Sequence, residues 1–241
     1  MKLLLLALFV LLPLSQAKAE KLSDSQRMEV ETLIKEYLLN NGELILESVK
    51  NHQEALQEKQ RAEAEEKAKA FMASLNTNDL PIAGNKDGDI TIVEFFDYNC
   101  GYCRKALVEL QKVLDKDDQV KVIFMDMPIL GPQSLEAAKW SMAAHKQGKY
   151  FEYHSALLEH NGPKDPKNLE KIAKKIGLDV KKLITDKESK ELEQTIISQV
   201  ESAQAMNIRG TPGFIINGQI YPGYIPSERM IEIIADARKG K

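Results

Sequence analysis

Cys100 and Cys103 are the only cysteines in the 241-residue chain, and only Gly101 and Tyr102 separate them. Two thiols at this spacing suit disulfide exchange. One attacks as a thiolate, and a partner three residues on can resolve the mixed disulfide within the same helical turn. The apolar run Ile90 to Phe96 leads into a polar turn, Asp97-Tyr98-Asn99, and a helix-compatible stretch from Arg104 to Leu114 follows the cysteines. Strand, C-x-x-C and helix in that order set the first sulfur at a helix N-terminus. Unpaired N–H groups and the positive end of the helix dipole favour the thiolate there.

Other uses of two cysteines fit less well. A structural staple across two residues closes almost no loop and adds little stability. Structural zinc takes four ligands, which this pair and the scattered His52, His145, His154 and His160 do not assemble. A c-type haem needs His directly after the second cysteine, where Arg104 stands. The expectation is a redox dithiol, with no bound metal and no cofactor beyond the Cys100–Cys103 pair itself.

The elements that must position the pair begin near Asn76. Leu80 to Ala83 reads as a short strand, Asn85-Lys86-Asp87-Gly88 as a turn, and Ile90 to Phe96 as the central strand. Residues 101–116 read as a helix burying Ala106, Leu107, Leu110, Val113 and Leu114, and Val120 to Met127 as the next strand. That strand–helix–strand unit is a right-handed crossover of α/β type. No strand pattern occurs between Gly131 and Ile208; helical stretches are expected at 134–147, 150–160, 167–176 and 188–206. Trp140 and the aromatic run Tyr150, Phe151 and Tyr153 read as packing residues. Phe214 to Asn217 is a strand, Asn217-Gly218 a tight hairpin turn, Gln219 to Tyr221 its return, and Ser227 to Arg238 a final helix.

Ahead of this domain the chain has a different character. Lys2, the apolar run Leu3 to Leu14 and the small-x-small triplet Ala17-Lys18-Ala19 read as a cleavable export signal expected over residues 1–19. Its removal takes Lys2 and Lys18 and no acid, so the formal charge moves from −3 to −5, which disfavours nucleic acid and anionic membrane as partners. Ser23 with Gln26 is a capping-box pattern, and Val30, Leu33, Ile34, Tyr37 and Leu38 share one helical face. Ile45, Val49, His52 and Leu56 follow coiled-coil spacing on a second helix. Two short helices cannot bury such stripes alone, so residues 20–56 are expected to self-associate. Residues 57–75, rich in Glu, Lys, Gln, Arg and Ala, read as a solvated helical linker.

Taken together, residues 78–240 resemble a thioredoxin-fold thiol–disulfide oxidoreductase of the DsbA-like family. The resemblance rests on Glu94-Phe95-Phe96 before the cysteines, Cys100-Gly101-Tyr102-Cys103, a helical insertion at about 133–207, and Gly210-Thr211-Pro212 before a hairpin strand opening with Phe214. The N-terminal extension resembles the oligomerising stalk of suppressor-of-copper-sensitivity C (ScsC) proteins. The resemblance implies an α/β thioredoxin fold over residues 76–241, preceded by an all-α oligomerisation segment, in a periplasmic dimer or trimer. It makes Pro212 the cis-proline facing the cysteines, and Thr211 a residue against which substrate lies. Glu94, on a strand that should be buried, would exchange a proton with Cys103. Gly101 and Tyr102 would set the surroundings of Cys100.

Gly-Tyr between the cysteines and Thr before the proline are more like the isomerases DsbC and DsbG than like DsbA. The activity expected is disulfide isomerisation, with DsbA-type dithiol oxidation or Cu(I) handling as alternatives. Partners would be unfolded or wrongly bridged exported proteins and a membrane redox protein.

Overall fold

The computed structural model describes residues 21–240, so the expected signal peptide at 1–19 lies outside the described residues. The chain divides into two compact units at Leu56/Gln57.

In the first unit, helix α1 (Asp24–Asn40) opens with the predicted capping box: the Gln26 N–H donates to the Ser23 side chain, and the Ser23 N–H donates to Gln26 Oε1. Asn41 alone separates α1 from helix α2 (Gly42–Ser74), and its side-chain amide donates to the Tyr37 carbonyl. No described residue of this unit is buried. Leu33, Ile34, Tyr37, Leu38, Leu44, Ile45 and Val49 all stand exposed. A surface of this kind is stable in water only when something covers it.

From Gln57 on, α2 belongs to the second unit, and here the structure corrects the sequence reading. Residues 57–74 are helical, but only 57–63 are solvated throughout; from Ala64 on the helix is docked and is not a free linker. Ala64 and Ala68 are buried, and Phe71, Met72 and Leu75 pack against Val93, Phe95, Ile123, Met125 and Ile215 on one face of the sheet. Residues 64, 68, 71 and 75 form a 4-3-4 stripe, but two of its members are alanines. Alanine among charged residues reads as a helix former, and its small side chain here lets the helix approach the sheet closely.

The sheet has the order β1-β3-β2-β4-β5. Its strands are β1 (Ile82–Gly84), β2 (Ile90–Phe96), β3 (Val120–Asp126), β4 (Gly213–Ile216) and β5 (Gln219–Pro222). β2 and β3 run parallel through the crossover helix α3 (Gly101–Lys116); every other pairing is antiparallel. Alternation along β2 sends Ile90, Ile92 and Phe96 into one core with α3, and Val93 and Phe95 into the other beneath α2. Asn217 and Gly218 both take positive φ at the β4–β5 turn, as the Asn-Gly pair predicts.

The insertion holds five helices, α4 (Pro132–His145), α5 (Tyr150–Glu159), α6 (Pro166–Ile176), α7 (Val180–Lys187) and α8 (Lys190–Ala205), and α9 (Ser227–Lys239) closes the domain. The sequence reading finds four of the five. It misses α7, whose eight residues hold only Val180, Leu183 and Ile184 as apolar positions, too short a run to stand out as a helix; its start is set by the Asp179 side chain accepting from the Lys182 N–H. Trp140 is buried in α4, with its indole N–H donating to Glu136 Oε1.

Candidate active site

Cys100 is the N-cap of α3, with extended backbone and no side-chain cap of its own. The turn that delivers it is held by buried polar groups. Asp97 Oδ1 accepts from the Asn99 N–H at 2.7 Å and the Ser134 hydroxyl at 2.7 Å, and Oδ2 accepts from the Leu130 N–H at 2.9 Å. The Asp97 carbonyl takes the Cys100 N–H at 3.0 Å. Tyr98 is buried against the Phe96 ring, and its hydroxyl meets the Ser141 hydroxyl and, at 3.0 Å, His154 Nδ1. The loop therefore leans on α4 and α5, and the insertion is part of what fixes the sulfur.

The two thiols differ sharply. Cys100 is half-buried and Cys103 fully buried. The hydrogen bond from Cys103 is the main cause that lowers Cys100 to about 5. Burial opposes it, and the Thr211 side chain and the N–H groups of Cys103 and Tyr102 add to it. Burial drives Cys103 the other way, far above the ordinary thiol range, with the bond it gives Cys100 and the charge of Glu94 adding to the rise. One sulfur is a thiolate at neutral pH and the other a thiol.

Across from them the Thr211–Pro212 bond is cis. Cys100 Sγ lies 3.2 Å from the Thr211 carbonyl oxygen, which accepts from the S–H when the thiol is protonated, and the Pro212 carbonyl accepts from the Gly223 N–H at 2.9 Å. Gly213 starts β4 where any Cβ would lie 2.6 Å from Ile208 Cγ2, so glycine is required there. Gly101, by contrast, has open space around it. Tyr102 is exposed, with Lys105 Nζ 5.1 Å from its ring centroid.

Glu94 sits between Phe124 on β3 and Phe214 on β4 and is 1% exposed. Neither of its oxygens has a hydrogen-bond partner among the described residues. Burial first, and the Cys100 charge second, raise it to about 8, which poises it to take or give a proton near neutral pH. Asp126, on the same sheet face two residues beyond the Glu94–Phe124 pair, is held well above the carboxylate range by burial and by Asp97. Burial lowers His154 to about 3.

The structure thus brings Cys100, Cys103, Glu94, Thr211, Pro212, Gly101 and Tyr102 into one region around the start of α3. Sequence reasoning missed Asp97 and Tyr98 as supports. Their partners Ser134, Ser141 and His154 lie 37 to 56 residues away, on helices where nothing local marks them. Among the described residues, no group of three or more His, Cys, Asp or Glu is placed to hold a metal ion.

A parallel β2/β3 pair, a C-x-x-C at the head of the crossover helix and a cis-proline loop facing it define a thioredoxin-fold thiol–disulfide oxidoreductase. The family described as thioredoxin matches residues 76–236, and the chain belongs to it, among the DsbA-like members. A thioredoxin-like oxidoreductase from Silicibacter pomeroyi is 38% identical, with a TM-score of 0.65 over 67% of this chain and 94% of that one. The thiol-disulfide exchange protein alpha-DsbA2 from Wolbachia pipientis is 26% identical, with a TM-score of 0.68 over 72% of this chain and 95% of that one. Proteus mirabilis ScsC, in a transitional conformation, is 25% identical with a TM-score of 0.66, over 91% of this chain and 98% of that one. The chain also matches curated relatives called Na(+)/H(+) antiporter NhaA, one from Salinispora arenicola at 26% identity over 161 residues, and spans about 25% of that protein's length. No described helix is long and apolar enough to cross a membrane.

Proposed function

We propose that this protein is an exported, periplasmic disulfide isomerase that works as a dimer or trimer on wrongly bridged proteins. The Cys100 thiolate attacks a client disulfide. A bond forms between Cys100 Sγ and one client sulfur, the client S–S bond breaks, and the second client sulfur leaves as a thiolate. The client chain lies along Thr211 as an added strand. The freed thiolate then attacks another client disulfide, and a client thiolate finally displaces Cys100, so no net electrons are transferred. Cys103, buried and protonated, is slow to resolve the mixed disulfide. When it does, its proton passes to Glu94, the Cys100–Cys103 disulfide forms, and the client leaves reduced.

The observation that carries the isomerase reading is the first unit, whose helices expose their large apolar side chains along their whole length. Covering them with further copies of the chain sets several Cys100 sites around one client. It also hinders a membrane oxidase from reaching each dithiol. The ScsC likeness extends over this segment too.

The test compares the mature chain with one beginning at Gln57, where the second unit starts. Starting at Asn76 would strip Ala68 and Phe71 from the sheet. Light scattering should find an oligomer for the mature chain and a monomer for the shortened one. The shortened chain should keep dithiol reductase activity and lose most of its ability to refold a scrambled disulfide protein. A monomeric mature chain, or equal isomerisation by both, contradicts the proposal.

A further inference from the structure

Tyr224, in the loop between β5 and α9, is held at both ends beside the dithiol. At its base, the neighbouring Gly223 N–H is bonded to the Pro212 carbonyl, which ties this loop to the one facing the cysteines. At its tip, the Tyr224 hydroxyl donates to Glu109 Oε1 at 3.1 Å. Glu109 is itself fixed: its Oε2 accepts from the Ser227 N–H at 2.9 Å, and Lys112 Nζ donates to Oε1 at 3.1 Å. The Tyr224 ring stands 6.4 Å from that of Tyr102, centroid to centroid, at 46°. Tyr102 is 60% exposed, two residues from Cys100.

A purely structural role accounts for only part of this. Glu109 capping the Ser227 N–H holds the start of α9 without any help from Tyr224, and an exposed Tyr102 contributes nothing to the core. The two rings lie at the distance of a direct aromatic pair and Lys105 Nζ stands 5.1 Å from the Tyr102 centroid, so they make one joint surface without a gap, whose outer side a third ring or a large aliphatic side chain can meet. Tyr224 is already held by its hydroxyl bond, so a client side chain gains contact with it without immobilising it.

We propose that Tyr102 and Tyr224 form an aromatic platform that selects client cysteines flanked by an aromatic or large aliphatic residue, with Glu109 as the positioning residue that holds Tyr224. The proposal rests on the thiol–disulfide reading of Cys100. The platform serves exported polypeptides whose cysteines belong in apolar cores and are exposed only when misfolded.

Two disulfide-bridged peptides, identical except for Phe or Gly beside the attacked cysteine, test it with the full mature chain. The parent should prefer the Phe peptide in kcat/KM by roughly two- to tenfold, the range of one aromatic contact. Tyr102→Ala and Tyr224→Ala should bring that ratio close to one. Tyr224→Phe, which keeps the ring and loses its anchor, and Glu109→Gln should fall between, through KM and not kcat. A change in packing alone would alter both peptides equally and leave the ratio intact. A parent ratio of one, or a ratio preserved in both alanine variants, overturns the platform. Failure of the parent to react with either peptide overturns the thiol–disulfide reading instead.

Discussion

Cys100 and Thr211 lie 111 residues apart in sequence, yet the Cys100 sulfur is 3.2 Å from the Thr211 carbonyl oxygen. The Thr211 side chain also helps to lower the Cys100 pKa, after the larger effect of Cys103. Thr211→Val keeps the shape and removes the hydroxyl. Alkylation of the reduced parent should be confined to Cys100, with a midpoint at about pH 5. In the variant the midpoint should rise, and the dithiol should become less oxidising by about 30 mV for each unit gained. Equal midpoints would remove Thr211 from the site.

Glu94 gives the dithiol a distinct pH signature. Its pKa of about 8 holds while Cys100 carries a charge. Burial, the larger cause, remains on oxidation, but loss of the Cys100 charge lowers Glu94, so below about pH 8 oxidation releases part of the Glu94 proton as well as the Cys103 proton. Just below about pH 8 the reduction potential should therefore fall more steeply than about 30 mV per pH unit, and above that at about 30 mV. Glu94→Gln should show about 30 mV across the whole interval. A parent without the break contradicts a redox-linked Glu94.

The docking of α2 can be checked by a single charge. Ala68 is fully buried against the sheet while Ala70 faces solvent. Ala68→Glu should destabilise the domain by about 3 kcal/mol or more, because it buries an unpaired carboxylate. Ala70→Glu should stay within about 0.5 kcal/mol. Equal urea midpoints for the two variants would restore the view of residues 57–75 as a solvated spacer.

What was legible in the sequence divides along physical lines. Ile90 to Phe96, Asn217-Gly218 and the Ser23/Gln26 box are local patterns, and local geometry enforces them, so the strands, hairpin and first cap fall where expected. The Cys100-Gly101-Tyr102-Cys103 spacing carried its part of the site for the same reason, whereas Gly210-Thr211-Pro212, 111 residues from Cys100 in sequence, was assigned to the site by the family resemblance. Ala64 and Ala68 did not read as a docking face, because alanine signals helix formation whether or not a surface covers it. The braces Asp97–Ser134 and Tyr98–His154 were illegible because each joins groups brought together only by the folded insertion.

The most direct test of the account is the redox state of Cys100 and Cys103 in the cell. Cells are quenched with acid, and free thiols are alkylated with a reagent that adds mass. An isomerase must keep Cys100 available as a thiolate, so the account predicts that the protein is trapped with both cysteines modified. A chain trapped unmodified, with Cys100 and Cys103 joined as a disulfide, would mark a dithiol oxidase and contradict the isomerase reading.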